Sequence, residues 1–181
     1  TAKAMKTQYS NRIKRKVLRK QASTRNSITC GTENPASVGC VFYELEGGEV
    51  ATVFRGGRWH EGHEGMLHGG ITASILDEVM GRANRAYDNM MGEPGGPVVT
   101  AEMTVRYLKP VMSGELMTAF GRIDRREGRR RFASGEIVNE IGEVMASATG
   151  VYVSVSADYA SDDIKPDRLG GALGPEDIKE L

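Results

Sequence analysis

The 181-residue sequence predicts an α+β fold, with an antiparallel sheet of five to six strands wrapped around one long helix. Three observations carry that expectation. From Gly69 to about Ala86, Ile71, Ile75, Val79 and Ala83 recur every four residues, which is helical spacing. Leu76 and Met80 widen the apolar arc beyond the stripe of a helix lying on a surface. Downstream, runs of strand character at 98–108, 115–125, 130–139 and 143–155 follow one another without a second helix. A curved sheet folded over the helix explains the breadth of that arc.

The elements follow in chain order. Residues 3–21 are basic, with Met5, Tyr9, Ile13 and Val17 at every fourth position, and predict an amphipathic helix. Residues 22–39 are polar and punctuated by Gly31, Pro35 and Gly39, a loop. Val41 to Phe54 holds two β runs around Gly47-Gly48, a hairpin or one bent strand. Arg55 to Gly65 is a loop carrying Trp59, His60 and His63. After the helix, Met90–Pro97 is a glycine- and proline-rich loop. Glu127-Gly128 and Ile141-Gly142 mark the hairpin turns between the last strands. No internal repeat is present, and residues 156–181 form a polar tail.

Charge is balanced, with 24 basic and 24 acidic residues, so nothing global argues for a nucleic-acid partner. The balance is uneven along the chain. Residues 1–32 hold nine Lys/Arg and no acid, whereas residues 158–181 hold seven acids against three bases. Two solvated arms that pair with each other or with a second subunit are expected. Cys30 and Cys40 lack zinc-ligand spacing and read as two buried thiols, with no metal site. No apolar run reaches the ~18–20 residues needed to span a membrane, and no signal-peptide pattern is visible. The expectation is a cytoplasmic protein without a membrane partner.

The chemistry concentrates at Gly62–Ala86. The helix opens on Gly69-Gly70, poor helix formers whose bare N–H groups can receive an oxyanion. A small polar face runs through Gly70, Ala73/Ser74, Asp77, Gly81 and Asn84. On it Asp77 is costly to bury unpaired and is a candidate base or nucleophile. Gly70 and Asp77 are seven residues apart, ~10.5 Å along a helix axis. One reacting carbon cannot lie within ~3 Å of both. If both act on one bond, they come from two copies of the helix, packed antiparallel across a two-fold axis in a homodimer.

Leu67-His68-Gly69-Gly70 followed by Leu76-Asp77-Glu78 and Gly81 resembles the central helix of PaaI-like hotdog-fold acyl-CoA thioesterases. Val98 to Pro110, with Thr100, Tyr107 and Pro110 in T-x6-Y-x2-P spacing, resembles the strand that follows it, and Gly142–Ala148 resembles the last hairpin. The resemblance implies a hotdog domain over residues 28–155, between an arm at 1–27 and a tail at 156–181. It implies hydrolysis of an acyl-CoA thioester, with coenzyme A entering as part of the substrate and no cofactor, in a homodimer that is often doubled to a tetramer. Asp77, Gly70, Thr100 and His63 are the candidate catalytic residues: Thr100 holds the water or the carboxylate, and His63 stands where relatives place an Asn or Gln. His68, Gly69, Arg130 and Arg131 are the candidate substrate contacts, the arginines for coenzyme A phosphates. Glu78 is expected to pair with Arg82 at i+4. Where some relatives carry C-x-x-C-G, this chain keeps only Cys30-Gly31, with Ser27 at the first position. Two alternatives stand beside hydrolysis: a non-catalytic acyl-CoA binding or sensing module, and a hotdog dehydratase using His63.

Overall fold

A computed structural model describes residues 15–156 and 177–181. The strands are β1 (Val17–Lys20), β2 (Val41–Leu45), β3 (Glu49–Phe54), β4 (Glu61–His63) and β5 (Met66–Leu67), then helix α1 (Gly69–Met91), then β6 (Val98–Tyr107), β7 (Met117–Glu127), β8 (Arg130–Asn139) and β9 (Val144–Ser154). Seven strands form one antiparallel sheet in the order β1-β2-β3-β7-β8-β9-β6, and β4-β5 is a separate two-stranded ribbon. The sheet curves around α1. The architecture is the expected α+β wrap, with one strand more than the upper expectation of six.

The extra strand is β1, and it corrects the expected helix over 3–21. Val17–Lys20 pairs antiparallel with β2. The fourfold spacing that suggests a helix rests mostly on residues before 15, outside the described part. Within it, Val17 alone points into a small apolar cluster with Tyr43, Leu45 and Ala51 on the outer face of the sheet. Residues 177–181 cover that same cluster. Ile178 and Leu181 pack on it, Val17 N–H donates to Lys179 O at 3.0 Å, and Arg15 and Leu181 exchange main-chain bonds. Asp177 is buried, accepting from Tyr43 Oη at 3.0 Å and pairing with Lys20 Nζ at 3.1 Å. The basic arm and the acidic tail thus meet where both are described. Residues 1–14 and 157–176, the rest of the predicted arm and tail, lie outside the described residues.

α1 forms where the periodicity places it but runs five residues beyond Ala86. It ends at Gly92, whose φ of 70° is the left-handed cap that glycine adopts without strain. Ile75, Leu76, Val79, Met80 and Ala83 are fully buried against the sheet. The helix comes unusually close to it, over a saddle made by Gly121 and Gly135, which face each other across β7 and β8. A Cβ on Gly121 would lie 2.5 Å from Val79 O, and one on Gly135 would lie 3.0 Å from Met80 Cγ. Glycine at 121 lets helix backbone rest on sheet backbone, and glycine at 135 makes room for the Met80 side chain.

The two edges of the sheet differ. β1 is covered by residues 179–181. β6 pairs with β9 on one side, and among the described residues nothing pairs with the other. Ten residues long and mostly exposed, β6 presents Val99, Tyr107 and the following Leu108 to solvent. The arginine-rich β7–β8 hairpin lies in the interior of the sheet. Among the described residues no helix is long and apolar enough to cross a membrane.

Candidate active site

The site begins at the start of α1. His68 is the N-cap, and its Nδ1 accepts the Gly70 N–H at 2.9 Å. Bonding there needs an unprotonated Nδ1, so the ring proton sits on Nε2. Gly62 of β4 packs on the imidazole, since a Cβ there would lie 3.0 Å from His68 Cδ2. Tyr107, at the end of β6, lays its ring on Gly69 and donates its hydroxyl to Gly69 O at 3.0 Å. The Gly69 N–H has no acceptor among the described residues. The first turn therefore presents two amides with no other helix residue in front of them: one bare, one held by a histidine nitrogen.

Asp77 follows two turns later, half-buried. Thr100 Oγ1 donates to its Oδ1 at 2.8 Å. Tyr152 Oη lies 2.9 Å from the same oxygen and 3.0 Å from the Asp77 main-chain carbonyl. Thr100 and Tyr152 are directly opposite in the β6–β9 register, so their side chains share the face that meets the helix. The register shifts just after Thr100, where the β6 bulge adds Ala101; bulges of this kind re-aim side chains beside functional sites. Burial first, then the Asp77 charge, push the Tyr152 phenol far above its usual range, so it stays protonated and acts as a donor.

Tyr152 was not singled out in the sequence. The signal lies in β9, where Ala146, Ala148 and Gly150 alternate inward and a tyrosine follows them. A buried tyrosine needs a partner for its hydroxyl. Its ring fills the space beside Gly81, so the small helix face is not open along its whole length: Gly70 through Asp77 stay accessible, while Gly81 and Asn84 face the chain's own sheet. Glu78 Oε1 accepts from Arg82 Nε at 2.7 Å, the expected i+4 pair.

The other candidates lie apart from this pair. His63 is exposed and its side chain has no polar partner among the described residues. The dehydratase alternative, which needs a histidine beside an acid, finds no such pair at His63. Arg131 does not face outward. It is buried, donating from Nε to Asn84 Oδ1 at 2.8 Å, and its Nη2 stands 3.9 Å from the Asp88 carboxylate. Arg126 pairs with Glu93, and Arg125 stacks 3.5 Å from the Phe132 ring centroid. Arg129 and Arg130 stay exposed on the hairpin, their side chains without partners among the described residues. Asn84, beside Arg131, is fourteen residues from Gly70 on the same helix, ~21 Å along its axis.

His60 is satisfied at both nitrogens, accepting the Gly57 N–H at 3.0 Å and donating to Ala36 O at 3.0 Å. Both cysteines are buried and unpaired, as expected. Burial pushes the Cys40 thiol up to about 12, which removes it as a nucleophile at neutral pH. Among the described residues no three His, Cys, Asp or Glu side chains gather as metal ligands.

The comparisons bear on the family and the fold. The family model of the Thioesterase superfamily matches residues 64–146, the stretch from the glycine-rich turn through β8 into β9. The acyl-coenzyme A thioesterase THEM4 of Bos taurus is 25% identical over 122 residues, covering 67% of this chain and 47% of the relative. The chain spans about half the length of the THEM4 relatives it matches. A thioesterase superfamily protein of known structure superposes with a TM-score of 0.64 at 30% identity, covering 72% of this chain and 61% of that one. The E. coli PaaI protein superposes with a TM-score of 0.58 at 18% identity, over 66% of this chain and 81% of its own. The fold is the hotdog fold, and the resemblance set out from the sequence is met by the family match and by these neighbours.

Proposed function

We propose, from a hotdog fold whose central helix and following strands carry the Thioesterase superfamily match, that this chain hydrolyses an acyl-CoA thioester to free acid and coenzyme A. The reaction takes place at sites shared by two protomers. The observation that carries the reading is the Asp77 carboxylate, held by Thr100 on the accessible stretch of the small helix face, seven residues from the Gly70 amide and eight from that of Gly69. α1 is unbroken between them, so the ~10.5 Å separation along its axis applies within one chain. The β6 edge beside that face, unpaired among the described residues, supports a second copy as the source of the missing half.

In this reading the thioester carbonyl sits at one protomer's helix start. Gly69 N–H is available to it, and Gly70 N–H becomes so when the carbonyl displaces the His68 nitrogen. A preorganised donor of this kind lowers the barrier by about 3–4 kcal/mol. Asp77 of the other protomer takes a proton from water as the hydroxide adds to the carbonyl carbon. The C–S bond then breaks, and the thiolate leaves and recovers the proton. Direct attack by Asp77, giving an anhydride that water opens, uses the same placement. The coenzyme A phosphates extend toward basic groups at the rim. On the hairpin Arg130 is free to meet them, while Arg131 anchors that hairpin to Asn84.

The test is release of free thiol from a panel of short, medium, long and aryl acyl-CoAs, with Asp77→Ala alongside. Wild type turns over at least one of them, and the variant loses about 10²–10⁴-fold in kcat. Equal rates for wild type and variant on every substrate would sink the proposal.

A further inference from the structure

We propose that Tyr152 is a positioning residue for the Asp77 carboxylate: with Thr100 it holds Oδ1, leaving Oδ2 as the oxygen presented to the reaction. The inference rests on the hydrolytic reading above and deepens it. It stands on three observations.

The first is that the tyrosine cannot move away. It is 2% exposed, and its ring lies between two glycines, Gly81 on α1 and Gly150 on β9. A Cβ on Gly81 would come to 3.4 Å from the ring, and one on Gly150 to 3.0 Å. Both glycines leave only enough room for a flat ring at the depth that brings its hydroxyl to Asp77.

The second is where the hydroxyl proton goes. Tyr152 Oη is within reach of both Asp77 Oδ1 and the Asp77 main-chain carbonyl, at 2.9 and 3.0 Å. A phenol has one proton. The carbonyl already serves the helix ladder, and an ionised carboxylate is the stronger acceptor. The proton therefore goes to Oδ1.

The third is that two donors converge on one oxygen. Thr100 Oγ1 donates to Oδ1 from the opposite position in the β6–β9 register. Among the described residues Oδ2 accepts no hydrogen bond. A carboxylate on an aspartate otherwise turns about its last torsion with little resistance, which is broad and roughly two-fold. Two donors fixed in neighbouring strands stop that rotation. Oδ2 is left with its lone pairs free, on the accessible stretch between Gly70 and Asp77.

The experiment uses the full chain with Tyr152→Phe, which keeps the ring and removes only the hydroxyl. Two readouts are taken. One is kcat and KM for the acyl-CoA turned over fastest. The other is the ¹³C resonance of the Asp77 carboxyl in protein labelled at aspartate Cγ, assigned by its loss in Asp77→Ala. The expected result is a kcat lowered by about ten- to a hundredfold with KM held within about twofold, as befits lost orientation rather than lost binding, together with a shifted Asp77 resonance. A kcat within about twofold of wild type, in a chain whose Asp77→Ala variant is inactive, overturns the inference and leaves the hydrolytic reading standing. If Asp77→Ala matches wild type on every acyl-CoA, the hydrolytic reading fails on its own, and an unshifted resonance in Tyr152→Phe shows that the hydroxyl does not hold the carboxylate either. Gly150→Ala covers the case of a Phe variant that does not fold. It retains the hydroxyl but crowds the ring, and it lowers kcat with KM kept; an unchanged kcat there counts against the inference.

Discussion

His68 does two things with one nitrogen. Its Nδ1 caps the helix by accepting the Gly70 N–H, and in doing so it occupies the position the proposed reaction gives to a carbonyl oxygen. A side-chain cap of this kind contributes about 1 kcal/mol. His68→Ala should therefore lower the thermal midpoint by about 2–4 °C for a chain of this size, whereas His68→Asn, which restores a short acceptor, should recover most of it; calorimetry of the three proteins decides. At this scale the sequence was partly legible. Asp77 declared itself because a carboxylate on an apolar helix is costly, and Thr100 because of its spacing within a strand motif. Tyr152 stayed silent: alternation along β9 turns it inward, but its meeting with Asp77 depends on a register between β6 and β9 that no local pattern encodes. Arg131 misled for the opposite reason. In a row of arginines it reads as surface charge, but strand alternation turns it inward onto Asn84.

At the scale of elements, the later strands could be read to within two residues at each end, because alternation and turn glycines agree along β6 to β9. β1 could not. Four residues with one inward side chain carry no period, and what makes them a strand is the neighbour β2 on one side and residues 179–181 on the other. The helix end was read short because Tyr87–Met91 continues past the last strongly apolar position to a glycine cap. The pairing of α1 with the sheet rests on Gly121. A methyl group there would meet the Val79 carbonyl at 2.5 Å, main chain against main chain, where no side chain can swing aside. Gly121→Ala should cost about 1–3 kcal/mol or more through overpacking, read as a fall in the urea midpoint at unchanged slope.

At the scale of the whole molecule, the proposal makes each site the joint property of two chains, and mixing distinguishes that from any arrangement within one. Asp77→Ala leaves a chain with intact amides. Gly70→Pro removes one amide proton, turns the His68 ring aside from the space it fills 2.9 Å from a Cβ at that position, and leaves Asp77 intact; circular dichroism checks that the variant folds. Each variant alone should be nearly inactive. Co-refolded in equal amounts, half the dimers are mixed and each mixed dimer holds one complete site of two, so about a quarter of wild-type activity should return. A mixture no more active than its components would mean that the two groups do not serve one bond.

The glycine saddle has a consequence for what such a protein could be made to accept. With main chain resting on main chain at Gly121 and the Met80 side chain filling the space over Gly135, there is no crawl space under that part of the helix for a guest. Any tail a substrate carries has to be lodged along the outer seam. Enlarging the interior by trimming Met80 or Ile137 would loosen the fold without admitting a longer guest, and selectivity would be reshaped only by edits along that seam.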